Sequence, residues 1–227
     1  MRIVVKLGGH AFPLKLNVDK ILKYVTVFKK LCRAGHRLIV VTGGGSYARL
    51  YIKTARKLGA NETICDLTGI ESSRLNARLL IAGLGEDAYP EIPRTIQEID
   101  TAFYSGKIIV LGGLYPGQST DAVAAVTSEL IGASLLIKAT DADGIYTMDP
   151  KKDPASKKLN EVSCAQLLEM LIHESLWAGE YELLDPIAIK IVDRSKIKTW
   201  VIDGRIPANI EKIVKGERTG TLIISSQ

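Results

Sequence analysis

Short apolar runs alternate along this chain with longer segments whose apolar positions recur every three or four residues. Ile3-Val4-Val5 ahead of Lys6-Leu7 predicts a buried strand over 2–7, and Leu38-Ile39-Val40-Val41 predicts a second over 37–42. Ile108-Ile109-Val110-Leu111 and Ser134-Leu135-Leu136-Ile137 read as a third and fourth. Between the first two, Val18, Ile21, Leu22, Val25, Phe28 and Leu31 fall at helical spacing, which predicts a helix over 18–34 stopped by Gly35. Further helices are expected over 46–58 with a Gly59 stop, 63–84 with a break near Gly69, 96–104 closed by Gly106, and 120–131. A polar, turn-rich stretch from Ala139 to Lys158 follows, with four Asp, two Pro and one Gly. The last third repeats the alternation: helices near 163–175 and 185–195, a strand over 198–202, a short helix over 207–214 and a final strand over 221–225.

Continuously apolar strands need cover on both faces, and helices between them supply it. The expected class is therefore α/β: a three-layer αβα sandwich around a mainly parallel central sheet. No repeat, low-complexity tract or linker divides the chain, so residues 1–227 are expected to form a single domain.

Ligands of parallel sheets sit at the carboxyl ends of the strands. The segments predicted there are Lys6-Leu7-Gly8-Gly9, Thr42-Gly43-Gly44-Gly45-Ser46, Gly112-Gly113 and Lys138-Ala139-Thr140. Glycine lets a backbone approach a ligand closely and aim its N–H groups at it, and a helix opening after the turn adds a positive dipole end. One such turn is an ordinary connection. Two of them, one beside a lysine, point to two anionic groups held side by side, which phosphoryl transfer between two substrates requires. Gly43-x-Gly45-x-x-Ala48 also satisfies a loose dinucleotide fingerprint, but the acidic residue expected about 20 positions on falls in a helix rather than at a strand end. No G-x-x-x-x-G-K-[ST] is present.

Each candidate side chain has a plain alternative. Lys6 and Lys138 at strand ends could be solvated, or could neutralise phosphate. Asp121 at the start of a helix could cap it, or could hold the two ammonium groups. Arg49 in the first turn of a helix is unfavourable to the dipole, which favours an anion contact. Asp66 by default is a solvated helix acid, and Tyr146 and Asp149 lie in a turn segment. His10, His36 and His173 form no ligand-like spacing, and no protein metal ligand is assigned.

Composition narrows the classes. The net charge of +5 with dispersed basic residues and no reader motif fits attraction of small anions rather than nucleic acid. Cys32, Cys65 and Cys164 are far apart without C-x-x-C, which argues against a disulfide framework or zinc site. No apolar run reaches the roughly 18 residues of a membrane span, and no signal-peptide pattern precedes the first strand, so a cytoplasmic location is expected.

With these residues in view, the chain resembles the amino acid kinase family, and within it the short archaeal form of the UMP kinases. The resemblance rests on Lys6-Leu7-Gly8-Gly9, Thr42-Gly43-Gly44-Gly45-Ser46, Ser119-Thr120-Asp121 and the run Ile137-Lys138-Ala139-Thr140-Asp141-Ala142-Asp143-Gly144-Ile145-Tyr146-Thr147-Met148-Asp149-Pro150. It implies the amino acid kinase fold, with the acceptor side in the N-terminal half and the nucleotide-donor side in the C-terminal part. It implies transfer from MgATP to UMP, giving ADP and UDP, with Mg2+ arriving on ATP. Lys6, Lys138 and Asp121 would be catalytic. Lys6, Leu7, Gly8, Gly9, His10, Gly45, Arg49, Thr140, Tyr146 and Asp149 would line the ATP site. Gly44, Asp66, Leu114, Tyr115, Pro116, Gly117, Gln118, Ser119 and Thr120 would line the UMP site. A homo-oligomer, a hexamer, is implied, with UTP a candidate feedback inhibitor. Related chemistry on the same fold would be an isopentenyl phosphate or N-acetylglutamate kinase, and a different class would be a non-catalytic nucleotide sensor. Isopentenyl phosphate kinases often place a histidine where this chain has Thr42.

Overall fold

The computed structural model describes residues 1–148, 153, 155–175 and 184–225. A seven-stranded sheet runs in the order β3-β2-β1-β4-β8-β9-β7, all neighbours parallel except β8 and β9. Its strands are β1 (Arg2–Leu7), β2 (Arg37–Thr42), β3 (Ile109–Leu111), β4 (Leu135–Thr140), β7 (Glu161–Ser163), β8 (Thr199–Asp203) and β9 (Thr221–Ile224). A separate antiparallel hairpin pairs β5 (Ile145–Tyr146) with β6 (Lys158–Leu159).

Alternation along the strands divides the core in two. Ile3, Val5 and Leu7 point to one face, where they meet Tyr24, Phe28 and Leu31 of α1 (Val18–Arg33), Ala77, Leu80 and Leu84 of α3 (Glu62–Leu84), and Ile210 of α8 (Ala208–Val214). Val4 points to the other, among Ile99 of α4 (Ile96–Phe103), Val123 of α5 (Thr120–Leu130), Leu167 of α6 (Cys164–Ser175) and Ile189 of α7 (Pro186–Ser195). The three layers and the mainly parallel sheet are those the strand pattern implies. Lateral cover of both faces explains why β1 and β2 contain no polar residue between their first and last two positions.

Local chemistry sets the helix starts. Asn17, Asn61, Thr95, Ser119 and Asp185 each accept a backbone N–H in the first turn of α1, α3, α4, α5 and α7. At α4 a second bond supports the start, because Glu98 Oε2 accepts the N–H of Arg94, the residue before the Thr95 cap, at 2.6 Å. α2 (Gly45–Lys57), by contrast, starts at a Gly44 N-cap with no side-chain bond.

Four expectations need correction. α3 runs unbroken through Gly69, whose bare Cα admits Ile52 of α2: an added Cβ would sit 3.0 Å from Ile52 Cδ1. Val18 and Leu22 are exposed, and Tyr24 takes the buried position on α1 instead. The turn-rich stretch contains the β5–β6 hairpin, and β7 is an additional strand; both are too short to show periodicity. β4 continues three residues beyond its apolar run, so Lys138 lies within the strand. No helix among the described residues is long and apolar enough to cross a membrane.

Candidate functional site

From β1 the chain steps outward to β2 and β3, then returns to β4 on the other side of β1, where β8, β9 and the edge strand β7 extend the sheet. The strand order therefore reverses between β1 and β4, where parallel sheets open a crevice at their carboxyl ends. Register places Lys6 opposite Lys138 across this seam. Both follow the alternation of Val4 and Leu136, so both project toward the face covered by α5.

Two ammonium groups side by side on neighbouring strands repel. Asp121, in the first turn of α5, stands between them. Its Oδ2 accepts from Lys138 Nζ at 2.7 Å, and its Oδ1 lies 3.1 Å from Lys6 Nζ, an ion pair outside hydrogen-bond angle. The three side chains are 14 % exposed or less. Burial alone pushes the Asp121 carboxyl up. The Lys138 and Lys6 charges more than reverse this and leave it lowered from 3.8 to about 2. The cap of α5 is Ser119, whose Oγ accepts the Ala122 N–H at 3.0 Å. Capping therefore does not account for Asp121, and both its oxygens are committed to lysines.

The two glycine clusters touch. A Cβ on Gly9 would lie 2.9 Å from Gly45 Cα, and one on Gly43 would lie 3.2 Å from Gly9 N. Gly45 has φ +68°, and its added Cβ would meet the Phe12 carbonyl oxygen at 2.5 Å. Arg49 is exposed, with Nη1 about 3.7 Å from the Cβ position of Gly9 and Nη2 bonded to Ser46 Oγ at 3.3 Å. At the start of α2, Gly45 N lies at this junction, 3.2 Å from the Cβ position of Gly9, while the Ser46 N–H is taken by the Phe12 carbonyl at 3.1 Å. The first cluster differs from expectation: Gly8-Gly9 opens a three-residue 3-10 turn, Gly9–Ala11, and α1 begins only at Val18. Only the second turn therefore brings a helix dipole.

The His10 ring sits between Gly8 and Gly204, which follows β8; a Cβ on either would come within 3.0 Å or 2.7 Å of the ring. Burial foremost, with Lys20 and Lys6 adding to it and the Gly204 bond and Asp141 opposing, lowers the His10 pKa from 6.5 to about 4. His10 at neutral pH is thus an uncharged imidazole. Lys20 Nζ reaches its carbonyl oxygen at 3.4 Å.

Two glycines of the opposite wall are fastened to α3. Asn76 Nδ2 donates to the Gly43 carbonyl at 2.9 Å, and Ser73 Oγ accepts the Gly113 N–H at 2.8 Å. The buried Thr42 hydroxyl is committed to the carbonyls of Ser73 and Leu111 at 2.9 and 3.1 Å. A Cβ on Gly112 would lie 2.4 Å from Ser73 Oγ, and one on Gly44 2.4 Å from Ala48 Cβ.

Residues 114–120 lie over the same helix. Asp66 Oδ2 accepts the Gly117 N–H at 2.7 Å, so Asp66 is a loop anchor as well as a candidate ribose contact. Arg74, largely buried, reaches Glu71 at 2.7 Å and the Leu114 carbonyl at 3.4 Å. Leu114 is buried; Tyr115, Pro116, Gly117 and Ser119 are exposed; Gln118 and Thr120 are half-buried, and the buried Gln118 Oε1 has no partner.

Thr140, at the end of β4, bonds Asp141 through its hydroxyl at 3.3 Å. Tyr146 Oη donates to Asp143 Oδ1 at 2.8 Å, and that bond, with Asp143's charge, raises its pKa. Asp149 lies outside the described residues.

Sequence reading missed Tyr24, Ser73, Arg74 and Asn76. Each had one signal: a polar or ionisable group at a position where helical spacing demands an apolar one.

The amino acid kinase family model matches residues 1–203. A uridylate kinase of Hyperthermus butylicus is 46% identical over 222 residues, covering 97% of this chain and 97% of that one. One from Methanococcoides burtonii is 43% identical over 221 residues, covering 97% and 94%. Among solved structures, uridylate kinase from Archaeoglobus fulgidus superposes with a TM-score of 0.89 at 41% identity, covering 98% of this chain and all of that one. UMP kinase from Bacillus anthracis has a TM-score of 0.85 at 19% identity, a likeness of fold.

Proposed function

The chain belongs to the amino acid kinase family, and from that premise we propose that it transfers the γ-phosphoryl group of MgATP to UMP, giving ADP and UDP in pyrimidine nucleotide synthesis. The observation that carries this reading is the Lys6–Asp121–Lys138 bridge at the crevice between two touching glycine turns. Relatives at 43% and 46% identity over nearly the whole chain bear the name uridylate kinase, which supports UMP as acceptor.

The attacking group is an oxygen of the UMP phosphate, already ionised near neutral pH, so no general base is needed. The obstacle is the meeting of two polyanions. Backbone N–H groups of Gly9 and Gly45, with Arg49, hold the ATP phosphates; Gly8, whose own N–H is taken by the Ala139 carbonyl, lets the turn approach them closely, and the remaining ATP contacts fall to Leu7, Thr140, Tyr146 and Asp149. Gly44 and residues 114–120 take UMP, with Asp66 on its ribose. Lys6 and Lys138 stabilise the moving phosphoryl group and the leaving oxygen, and Asp121 keeps both cations aimed. Catalysis is positioning and charge stabilisation around an in-line transfer. Both Asp121 oxygens already face ammonium groups, so magnesium belongs to the substrate, on the phosphate oxygens of MgATP.

Thr42 speaks against an isopentenyl phosphate acceptor. Where a histidine would stand, its hydroxyl is buried and bonded to two carbonyls. We further place the enzyme in the cytoplasm as a single-domain homo-oligomer, a hexamer, with UTP as feedback inhibitor and no nucleic-acid partner. Exposed Tyr47, Leu50, Tyr51, Ile64, Leu67 and Leu75 on α2 and α3 support association.

The test is a panel of acceptors with γ-labelled ATP and magnesium: UMP, CMP, isopentenyl phosphate and N-acetylglutamate. Label is expected in UDP. Label in another acceptor, or binding of ATP and UMP without turnover, overturns the reading.

A further inference from the structure

Tyr24 is fully buried on α1, and its phenol lies behind the glycine turn that follows β1. Its Oη donates to the Gly204 carbonyl and stands 3.1 Å from His10 Nε2. A phenol has one proton, and here that proton is given to Gly204. The His10–Tyr24 contact therefore needs its proton on His10 Nε2. This fixes the imidazole as the Nε2–H tautomer.

The bonds around this pair reach three strands. Gly204, after β8, donates its N–H to the Thr140 carbonyl of β4 at 2.7 Å while its carbonyl accepts from Tyr24. Gly8, after β1, donates its N–H to the Ala139 carbonyl of β4 at 2.9 Å. The His10 ring fills the gap between Gly8 and Gly204, tightly enough that neither tolerates a Cβ without movement. Imidazole and phenol together wedge the turn after β1 against the ends of β4 and β8.

We propose that Tyr24 and His10 are a positioning pair for the nucleotide donor: Tyr24 sets the tautomer and tilt of His10, and the His10 ring holds the Gly8-Gly9 turn, and with it the Gly9 N–H, in the geometry that ATP phosphates require. His10 thus acts as an uncharged spacer behind the turn, and cationic contact with phosphate is left to the lysines and Arg49. This deepens the kinase reading and rests on it, so wild-type transfer from ATP to UMP is established first.

Two measurements on the full-length protein test the pair. The first is kinetic. Tyr24→Phe removes the phenol bonds and keeps the ring; His10→Asn removes the Nε2 donor; His10→Gln places an amide N–H where Nε2 stood. Tyr24→Phe and His10→Asn are each expected to raise the KM for ATP about five- to tenfold, the scale of one lost buried hydrogen bond, with the KM for UMP within about twofold of wild type. His10→Gln is expected to recover most of the loss. The double variant Tyr24→Phe/His10→Asn is expected to be no worse than the weaker single one, because the two act as a unit. An unchanged KM for ATP in Tyr24→Phe overturns the proposal. So does an equal rise in both KM values, the mark of general loosening. The second measurement is the ring 15N shifts of His10 in the wild-type protein, which needs no variant to fold. A neutral Nε2–H imidazole is expected between pH 6 and 8. An Nδ1–H tautomer or an imidazolium overturns the assignment, whatever the kinetics show.

Discussion

At the carboxyl ends of β1 and β4 the two faces of one sheet are built from opposite materials. On the α5 face, two lysines and one carboxylate are buried together, and every group is charged. On the α1 face, one residue-step away along the strands, an imidazole, a phenol and a carbonyl are joined by neutral hydrogen bonds. Desolvation acts on both. On the first face it is overcome by opposite charge, and the Asp121 carboxyl stays ionised down to about 2. On the second it prevails, and His10 stays neutral down to about 4. Burial alone thus does not decide whether a group is charged. The nearest partner decides, and this protein keeps charge where a phosphoryl group would move and neutrality where a backbone turn must be held still.

Asp121→Asn strikes this contrast hardest. It leaves two ammonium groups on neighbouring strands with no counter-charge, and breaking a buried ion pair costs about 3–5 kcal/mol. Since Ser119 retains the helix cap, a melting temperature close to wild type would show that Asp121 does not hold the lysines. Turnover is expected to fall with stability.

Lys6→Ala and Lys138→Ala come next. Each is expected to cost on the order of 3–4 kcal/mol of barrier, about a hundred- to thousandfold in kcat. Loss of stability should be smaller, because removing either lysine also removes the repulsion between the pair. Near-normal kcat in a folded variant of either would count against their role.

Acid separates the two faces by pH. The folded His10 pKa lies below its unfolded value, so the unfolded chain takes up a proton that the folded chain refuses. Stability is therefore lost as pH falls from 6.5 to about 4, by at most about 3 kcal/mol. His36 is shifted in the same direction, so His10→Gln is the control that isolates the His10 share. The Asp121 contribution is intact above its unfolded value of 3.8 and is lost on falling toward 2, roughly 2 kcal/mol. Chemical melts from pH 7 to 2 on wild type and His10→Gln should differ in the upper window and run parallel in the lower.

The smallest effect lies off both faces, where a carboxylate meets a neutral hydroxyl. Asp66 Oδ2 is engaged by Gly117, so the proposed ribose contact falls to Oδ1. A lost bond of that kind costs roughly 1.5–3 kcal/mol, so dUMP is expected to be at least about tenfold poorer in kcat/KM. Asp66→Ala should narrow the gap mainly by weakening UMP, and should also loosen the 114–119 loop. Equal use of both nucleotides by the wild type would remove the ribose role and leave the loop anchor.

Much of this was legible in the chain because the signals are local. Continuous apolar runs and glycine punctuation located β1, β2 and β4 and both turns. Lys6 and Lys138 were visible as strand-end cations, but their pairing was not. Register across β1 and β4 is a long-range property that no window contains. Tyr24 escaped because spacing alone draws the apolar stripe through Val18 and Leu22, which are exposed, and counts no phenol as a core position. Ser73 and Asn76 escaped because serine and asparagine on a helix usually signify exposure. β5 and β6 are two residues each and β7 three, below the length at which alternation exists.

The β1–β4 seam also has a history in the making of the chain. Ile3 pairs with Leu135, 132 positions later, whereas β1 meets β2 after only 35 (Arg2 with Arg37). During synthesis β1, β2 and β3 can associate while β4 has yet to emerge. Throughout that interval one side of β1 is an open edge of Ile, Val and Leu, the kind of surface on which chains add to one another. Lysine on an open edge is a deterrent to such growth. Lys6 occupies that strand before Lys138 and Asp121 arrive, so the charge proposed to act on phosphate in the finished enzyme is present earlier as a deterrent on a nascent sheet.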